Sequence, residues 1–348
     1  MLDFIFLVLL NIAGEIQPSN KQLWMNDVTR RIDSLITAEA KTPHPFNGVI
    51  LVKYANKKVY SKATGYADRE RKVRLHKDSQ FYIGSISKQI TAVLALQQLS
   101  TGGLVLDSPI HRYLPQLTAP WADSVTIYHL LSHTSGIKSP DQPLAFTPGS
   151  KFAYSNLGYE LLAQCIEKSA GLSFEQLSNG LFRECKMAHS AFPDTYQGPG
   201  LVTGYALNGD TLQRLEGDLS GHAASGTFIS TVDDLARWNE CLHGKRHNGM
   251  LLDQRSYTAM TTPIDISLRE HPAFGKMYYG YGITWVEQDD HEYTGQTGLI
   301  PGFVCMDFFD PTRHLSVVVL ENTAWYPDDV KRLFHVHKEI LKITADLP

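Results

Sequence analysis

Cysteine is scarce. The 348 residues hold four, at Cys165, Cys185, Cys241 and Cys305, widely spaced and with no C-x-x-C pair. That is neither a disulfide framework nor a zinc pattern, and Cys165 falls in an apolar helical pattern where a thiol acts as a small hydrophobe. No Lys/Arg-rich block is present, and the net charge of −4 argues against a nucleic-acid partner. No apolar run is long enough for a stable membrane span. Internal repeats and low-complexity tracts are missing. There is no G-x-S-x-G, which an α/β-hydrolase elbow needs, and no H-E-x-x-H. His243 and His247 enclose Gly244 and Lys245. His335 and His337 are two apart in a helical pattern and face different ways. No metal and no cofactor is expected.

A hydrophobic content of 43% and a charged content of 20% are ordinary for a globular protein, and the length allows a large core in two lobes. The N-terminus, from Met1 to Gly14, is apolar but too short to cross a bilayer. It resembles a signal-peptide core with Ala13 and Gly14 near a cut, although Asp3 stands where a positive charge is usual. Residues 1–20 are therefore expected to be a signal peptide and the protein periplasmic or secreted. The alternative is a cytoplasmic chain with an ordinary apolar helix.

Residues 22–40 have helical periodicity, and 48–53 and 58–61 read as strands joined by a turn at Asn56-Lys57. From 86 to about 215 the pattern is mostly helical, with helices expected over 125–131, 156–170 and 173–185 and a loop over 193–215. An extended stretch at 226–230 leads to a helix from Thr231. Four strands are expected at 281–287, 291–297, 302–309 and 314–321, then a closing helix over 328–343. The order predicts an α/β (α+β) fold: an antiparallel sheet flanked by helices, built from 21–88 and 216–348, with an inserted all-helical lobe over 89–215.

Three short stretches carry chemistry. In Phe81-Tyr-Ile-Gly-Ser85-Ile-Ser-Lys88-Gln-Ile90 a Gly hinge opens a long apolar helix. Ser85 and Lys88, three apart, share one helix face. A hydroxyl is a poor nucleophile until a neighbour takes its proton, and a buried Lys can be the neutral amine that does so. Ser85 could equally cap the helix. A second Ser-x-x-Lys, Ser135–Lys138, lies in a Gly/Pro-flanked loop with no helix to fix it. Tyr154-Ser-Asn156 before another helix offers a phenol to relay protons and an amide to hold a substrate, but Asn156 could also be an N-cap and Tyr154 a core aromatic. Tyr54-Ala-Asn56 repeats the pattern in the expected hairpin turn. Gly295-Gln296-Thr297-Gly298-Leu299 is an extended segment whose glycines admit close approach to the backbone.

In this order, Ser-x-x-Lys, Tyr-x-Asn and a Thr-Gly strand resemble the serine β-lactamase and penicillin-binding family, in the Tyr-x-Asn branch that includes class C β-lactamases, D-Ala-D-Ala carboxypeptidases and esterases. The likeness runs from about residue 24 to 345 and takes in Leu130-Leu-Ser-His-Thr-Ser-Gly136, Pro148-Gly149, Ser155-Asn-Leu-Gly-Tyr159 and Pro301-Gly-Phe303. It implies a β-lactamase/transpeptidase-like fold. It implies Ser85 as the nucleophile of an acyl-enzyme and Lys88 as its base, a role shared with Tyr154, which would also protonate the leaving group. Asn156 would bind the substrate's amide side, and the N–H groups of Ser85 and Leu299 would form the oxyanion hole beside Gln296, Thr297 and Gly298. His133 matches a structural residue. The family usually has Lys or His where this chain has Gln296. Gln supplies no charge, which turns the expectation from a carboxylate-bearing substrate to an ester or unusual peptide. The expected partner is a small-molecule or short-peptide substrate, and the expected state a monomer or weak oligomer. The competing class is a non-catalytic peptidoglycan- or peptide-binding protein of the same fold.

Overall fold

The computed structural model describes residues 20–215, 219–244, 251–326 and 328–347. The expected signal peptide, apart from Asn20, and His247 lie outside the described residues. Helix α1 (Asn20–Glu39) leads into a hairpin of β1 (Gly48–Tyr54) and β2 (Lys57–Thr64). Ala55 and Asn56, at φ 46° and 62°, make the tight left-handed turn that suits such a hairpin. A two-stranded ribbon, β3 (Tyr66–Asp68) and β4 (Val73–Arg74), and the short β5 (Phe81–Tyr82) precede a 3₁₀ turn over Gly84–Ile86 and helix α2 (Ser87–Ser100). Helices α3 (Ile127–Leu131), α4 (Asn156–Ala170) and α5 (Phe174–Glu184) follow. Next come β6 (Tyr205–Asn208), β7 (Thr211–Arg214), a π-helical turn over Ala223–Thr227, β8 (Ile229–Ser230), and helices α6 (Val232–His243) and α7 (Gln254–Thr261). The chain ends with β9 (Arg269–His271), β10 (Gly275–Tyr279), β11 (Thr284–Gln288), β12 (His291–Ile300), β13 (Phe303–Asp310), β14 (Leu315–Glu321), β15 (Thr323–Ala324), α8 (Val330–Leu333) and α9 (His335–Ala345).

The eight-stranded sheet runs β2-β1-β14-β13-β12-β11-β10-β9, and all its neighbours are antiparallel. Its central strands are apolar at successive positions because both faces are covered. On one face Ile50, Val52, Met306, Val317 and Val319 pack with Val28, Ile32 and Ile36 of α1 and with Ile340 and Leu341 of α9. On the other, Val49, Leu51, Cys305, Val318 and Leu320 join Ile86 of the 3₁₀ turn, Ile90 and Val93 of α2, and Leu235 and Trp238 of α6. The alternation is the period-2 pattern of strands read on both sides. The antiparallel sheet flanked by helices is as expected.

Several local expectations need correction. Residues 193–215 are not all loop: β6 and β7 pair across an Asn-Gly-Asp turn, and β6 pairs in parallel with β15. That pairing is non-local and leaves little periodicity in so polar a ribbon. The stretch read as extended from 226 starts inside the π-helical turn. The strand expected from Tyr281 begins at Thr284, and β9 and β10, short and polar at the sheet edge, had no clear signal. The closing helix is broken in two at Phe334. Cys185 and Cys241, 56 residues apart, form a disulfide, so the cysteine spacing misled. The bond ties the end of α5 to α6, which lies against the sheet.

The loop this disulfide closes predicts a stabilisation of about 4 kcal/mol by the chain-entropy relation. Cys185→Ser with Cys241→Ser should lower the denaturant midpoint accordingly; an unchanged midpoint would show that the crosslink contributes nothing.

Candidate active site

Ser85 sits in the 3₁₀ turn that feeds α2, and Lys88 begins the first α-helical turn. Helix α2 is buried from Ser87 to Leu96, so the lysine side chain has nowhere to reach water. Lys88 is 0% exposed. Its Nζ lies 3.3 Å from Ser85 Oγ and 2.8 Å from Asn156 Oδ1, and also bonds the Ser225 carbonyl. A neutral amine has two N–H donors and one lone pair. With Asn156 and Ser225 accepting both donors, the lone pair is left for the Ser85 hydroxyl. Burial pulls the Lys88 pKa down to about 7; Glu160 opposes the shift and Arg269 assists it.

Asn156 is free for this contact because it is not the cap of α4. Ser155 is: its hydroxyl accepts from Gly158 N–H at 3.0 Å. His133 holds the same segment. It lies at φ 57°, a left-handed conformation uncommon for a non-glycine residue. Its carbonyl accepts from Ala153 N–H at 2.8 Å, its Nδ1 accepts from Ser155 N–H at 3.1 Å, and its ring leans on Tyr154 at 4.3 Å. His133 is fully buried and stays neutral, its pKa driven well down by desolvation and then by Lys88 and Arg269. These contacts position Tyr154 and give the imidazole a structural role.

The Tyr154 ring centroid is 4.7 Å from Lys88 Nζ. The residue is 37% exposed, so one side of the ring is open. Burial raises its pKa to about 12, against the opposing influence of a hydrogen bond with Ser85. A phenolate eased by the lysine is therefore not the state of this group: the phenol keeps its proton.

The third stretch meets the first through two glycines. Gly84 has φ 58°, and a Cβ there would stand 2.7 Å from Gly298 Cα and 2.8 Å from Leu299 N. A Cβ on Gly298 would stand 2.1 Å from the Ile83 carbonyl. Both positions must lack a side chain for β12 to lie beside the Ser85 turn. The backbone of Gly298 and Leu299 thus flanks Ser85, with the Leu299 side chain 41% exposed and Thr297 partly so. Gln296 goes elsewhere. It is 1% exposed, its Oε1 accepts from Thr284 Oγ1 at 2.9 Å and from Thr297 N–H at 3.1 Å, and its Nε2 faces Tyr279 Oη at 3.4 Å. Its amide is therefore committed to the interior.

Ser135 is buried in a loop with Lys138 turned to solvent, and Tyr54-Ala-Asn56 is hairpin turn, so neither repeat of the motifs joins the site. Ser225, Glu160, Tyr279 and Arg269 do adjoin it, and sequence reasoning missed them. Glu160 alone had a signal, one helical turn after Asn156. Its pKa is raised, chiefly by burial.

A serine and a desolvated lysine thus share one turn, beside a tyrosine and the glycine-containing strand β12, on a sheet covered by helices. The chain belongs to the Beta-lactamase family, whose model matches residues 32–342. It is 28% identical to the putative penicillin-binding protein PbpX of Bacillus subtilis (strain 168), over 80% of this chain and 71% of that one. It is 26% identical to a beta-lactamase of Escherichia coli (strain K12), over 88% and 91%. Other relatives are longer: the chain spans 64% of Protein flp of Staphylococcus aureus. The crystal structure of D-amino acid amidase from Ochrobactrum anthropi SV3 superposes with TM-score 0.76 at 21% identity, covering 92% of this chain and 99% of the other, which shows the shared fold.

A lysine whose folded pKa lies near 7 and whose unfolded pKa is 10.5 binds a proton more readily unfolded. The stability of the wild type should therefore rise with pH between those values relative to Lys88→Met, by at most about 1.4 kcal/mol per pH unit. Parallel pH dependence of the two unfolding curves would show that Lys88 is charged in the folded state.

Proposed function

We propose that the protein is a serine hydrolase that acts through an acyl-enzyme on an amide or ester of a small molecule or short peptide: a β-lactam, a D-Ala peptide or a small ester. The observation that carries the proposal is the fully buried Lys88 amine, held by Asn156 and the Ser225 carbonyl with its Nζ 3.3 Å from Ser85 Oγ. In this mechanism Ser85 Oγ attacks the carbonyl carbon as its proton moves to Lys88 Nζ. The oxyanion forms beside the N–H groups of Ser85 and Leu299. The Tyr154 phenol protonates the departing amine or alcohol and is reprotonated from Lys88. Water then attacks the Ser85 ester, and the same groups return the proton. Asn156 orients Lys88 and meets the substrate's amide side. No cofactor takes part.

The proposed cleft lies between the sheet domain (21–88 and 216–348), which supplies Ser85, Lys88 and the β12 backbone, and the helical lobe (89–215), which supplies Tyr154 and Asn156. The disulfide favours an oxidising compartment, in keeping with export to the periplasm or beyond; a monomer or weak oligomer suffices for such a site.

Incubation with a labelled penicillin or an activated ester, followed by intact mass, should reveal an adduct on Ser85 that Ser85→Ala lacks. A wild type that forms no adduct with any acyl donor would instead be a ligand-binding protein. Lys88 works only unprotonated, so kcat/KM should fall as pH drops through about 7 and level off above it; a flat profile from pH 5 to 9 would remove Lys88 as the base. Tyr154→Phe should slow turnover by about 10²–10⁴-fold while leaving the acid limb in place.

A further inference from the structure

A second cavity lies on the other face of the sheet, in the layer formed by α1, α8 and α9. It measures about 260 Å³, a little below the range of about 300–1,000 Å³ of drug-sized sites. One wall is aromatic and is fixed before any ligand arrives. The His44 ring stacks on Trp325 at 4.9 Å and meets Tyr326 edge-on at 5.0 Å. Its Nδ1 lies 2.7 Å from Tyr326 Oη, and Trp325 Nε1 donates to the Pro45 carbonyl at 2.9 Å. Phe46, Leu333 and Val336, all buried, add an apolar wall.

The buried polar part of the lining has hydrogen bonds unmade. Glu321, at the end of β14, is 5% exposed and Thr323 is 2% exposed. Thr323 Oγ1 has no partner, and the Asn47 N–H reaches Glu321 Oε2 only at 3.5 Å. His337 of α9 stands beside Glu321, fully buried and neutral, its pKa lowered to about 3 by burial. Its Nε2 faces the Val304 carbonyl at 3.4 Å, so Nε2 carries the hydrogen and Nδ1 is a bare lone pair. That Nδ1 is 3.5 Å from Glu321 Oε1 and makes no hydrogen bond. Glu39, at the end of α1, adds a second carboxyl to the lining, and its charge assists burial in raising the Glu321 pKa. The basic groups at the rim are exposed: His335, 3.7 Å from Glu39, and Arg332, which pairs with Asp329. Acceptors thus outnumber donors, whereas buried polar groups are normally paired. Among the described residues no three His, Cys, Asp or Glu side chains converge to hold a metal ion. A fitting ligand brings N–H donors, a positive charge and an apolar body.

We propose that this cavity is a second binding site, for a small molecule that carries a primary ammonium group on a short apolar stem. The ammonium lies between Glu39 and Glu321 and gives its three N–H groups to the acceptors there. The stem packs against Phe46, Leu333 and Val336. The cavity is on the sheet face away from Ser85, so the inference stands or falls independently of the hydrolase reading.

The test is calorimetric titration of the whole protein, at neutral pH and low ionic strength, with three probes that share one stem: pentylammonium, 1-pentanol and pentyltrimethylammonium. The primary ammonium should bind about tenfold or more tighter than the alcohol, as expected for a charged hydrogen-bonding partner. It should also bind tighter than the trimethylated cation, which has the charge but no N–H. Glu39→Gln should bring the ammonium close to the affinity of the alcohol. Glu39 is only partly buried, so this variant is expected to fold, and its melting temperature checks that it does. Val336→Phe should fill the cavity and weaken all three probes together. Equal affinity for ammonium and alcohol would overturn the proposal, as would a trimethylated cation that binds as well as the primary one. Ammonium binding untouched by both Glu39→Gln and Val336→Phe would place the amine elsewhere on the protein and overturn it too. So would the absence of saturable binding by pentylammonium.

Discussion

The structure depends on keeping one amine out of water. Lys88 is an ordinary lysine by sequence, and in solvent it would be a cation with no use for a serine proton. Helix α2 enters the core at Ser87, which puts the side chain among Tyr154, Tyr159, Asn156 and the Ser225 carbonyl. Desolvation there disfavours the charge, while the hydrogen bonds satisfy the neutral amine. Depth alone would give an inert group. In the proposed mechanism a carbonyl arrives by way of the exposed flank of Tyr154 and the Leu299 end of β12.

Three other features serve that amine. The paired glycines at 84 and 298 let the Ser85 turn and β12 touch, which no side chain would permit. His133 adopts a left-handed conformation to hold the segment before α4. The π-helical turn at 223–227 brings the Ser225 carbonyl to Lys88. Each is a local departure from regular structure, and each stands where regular helix or strand would leave the lysine badly placed.

Much of this was legible in the sequence. The strand–helix–strand order gave the covered sheet, since periodicity reports which faces are buried. Ser85, Lys88, Tyr154 and Asn156 were readable because their motifs sit at helix starts, where spacing fixes geometry. What escaped depends on distant parts of the chain. Arg269 and Ser225 carry no motif: a strand edge and a small-residue turn reach the site only through tertiary packing. Gln296 shows the limit from the other side. Its position in the strand was right, but period-2 alternation does not say that its amide is taken by Thr284 and faces Tyr279. Cys185 and Cys241 likewise meet only because α5 and α6 pack together.

The site loads the fold, and the fold must carry it. A buried lysine, a left-handed histidine and the Arg269 guanidinium, whose Nε makes no hydrogen bond, all lower stability. They lie around the Ser85 turn, between β12 and the sheet edge at β9. The compensating terms lie elsewhere: the doubly covered strands β1, β13 and β14, and the crosslink that fastens the helical segment to α6. Those terms let the strained residues persist without unfolding the rest. Filling the same polar groups with better internal partners would stabilise the chain at the expense of the arrangement around Lys88.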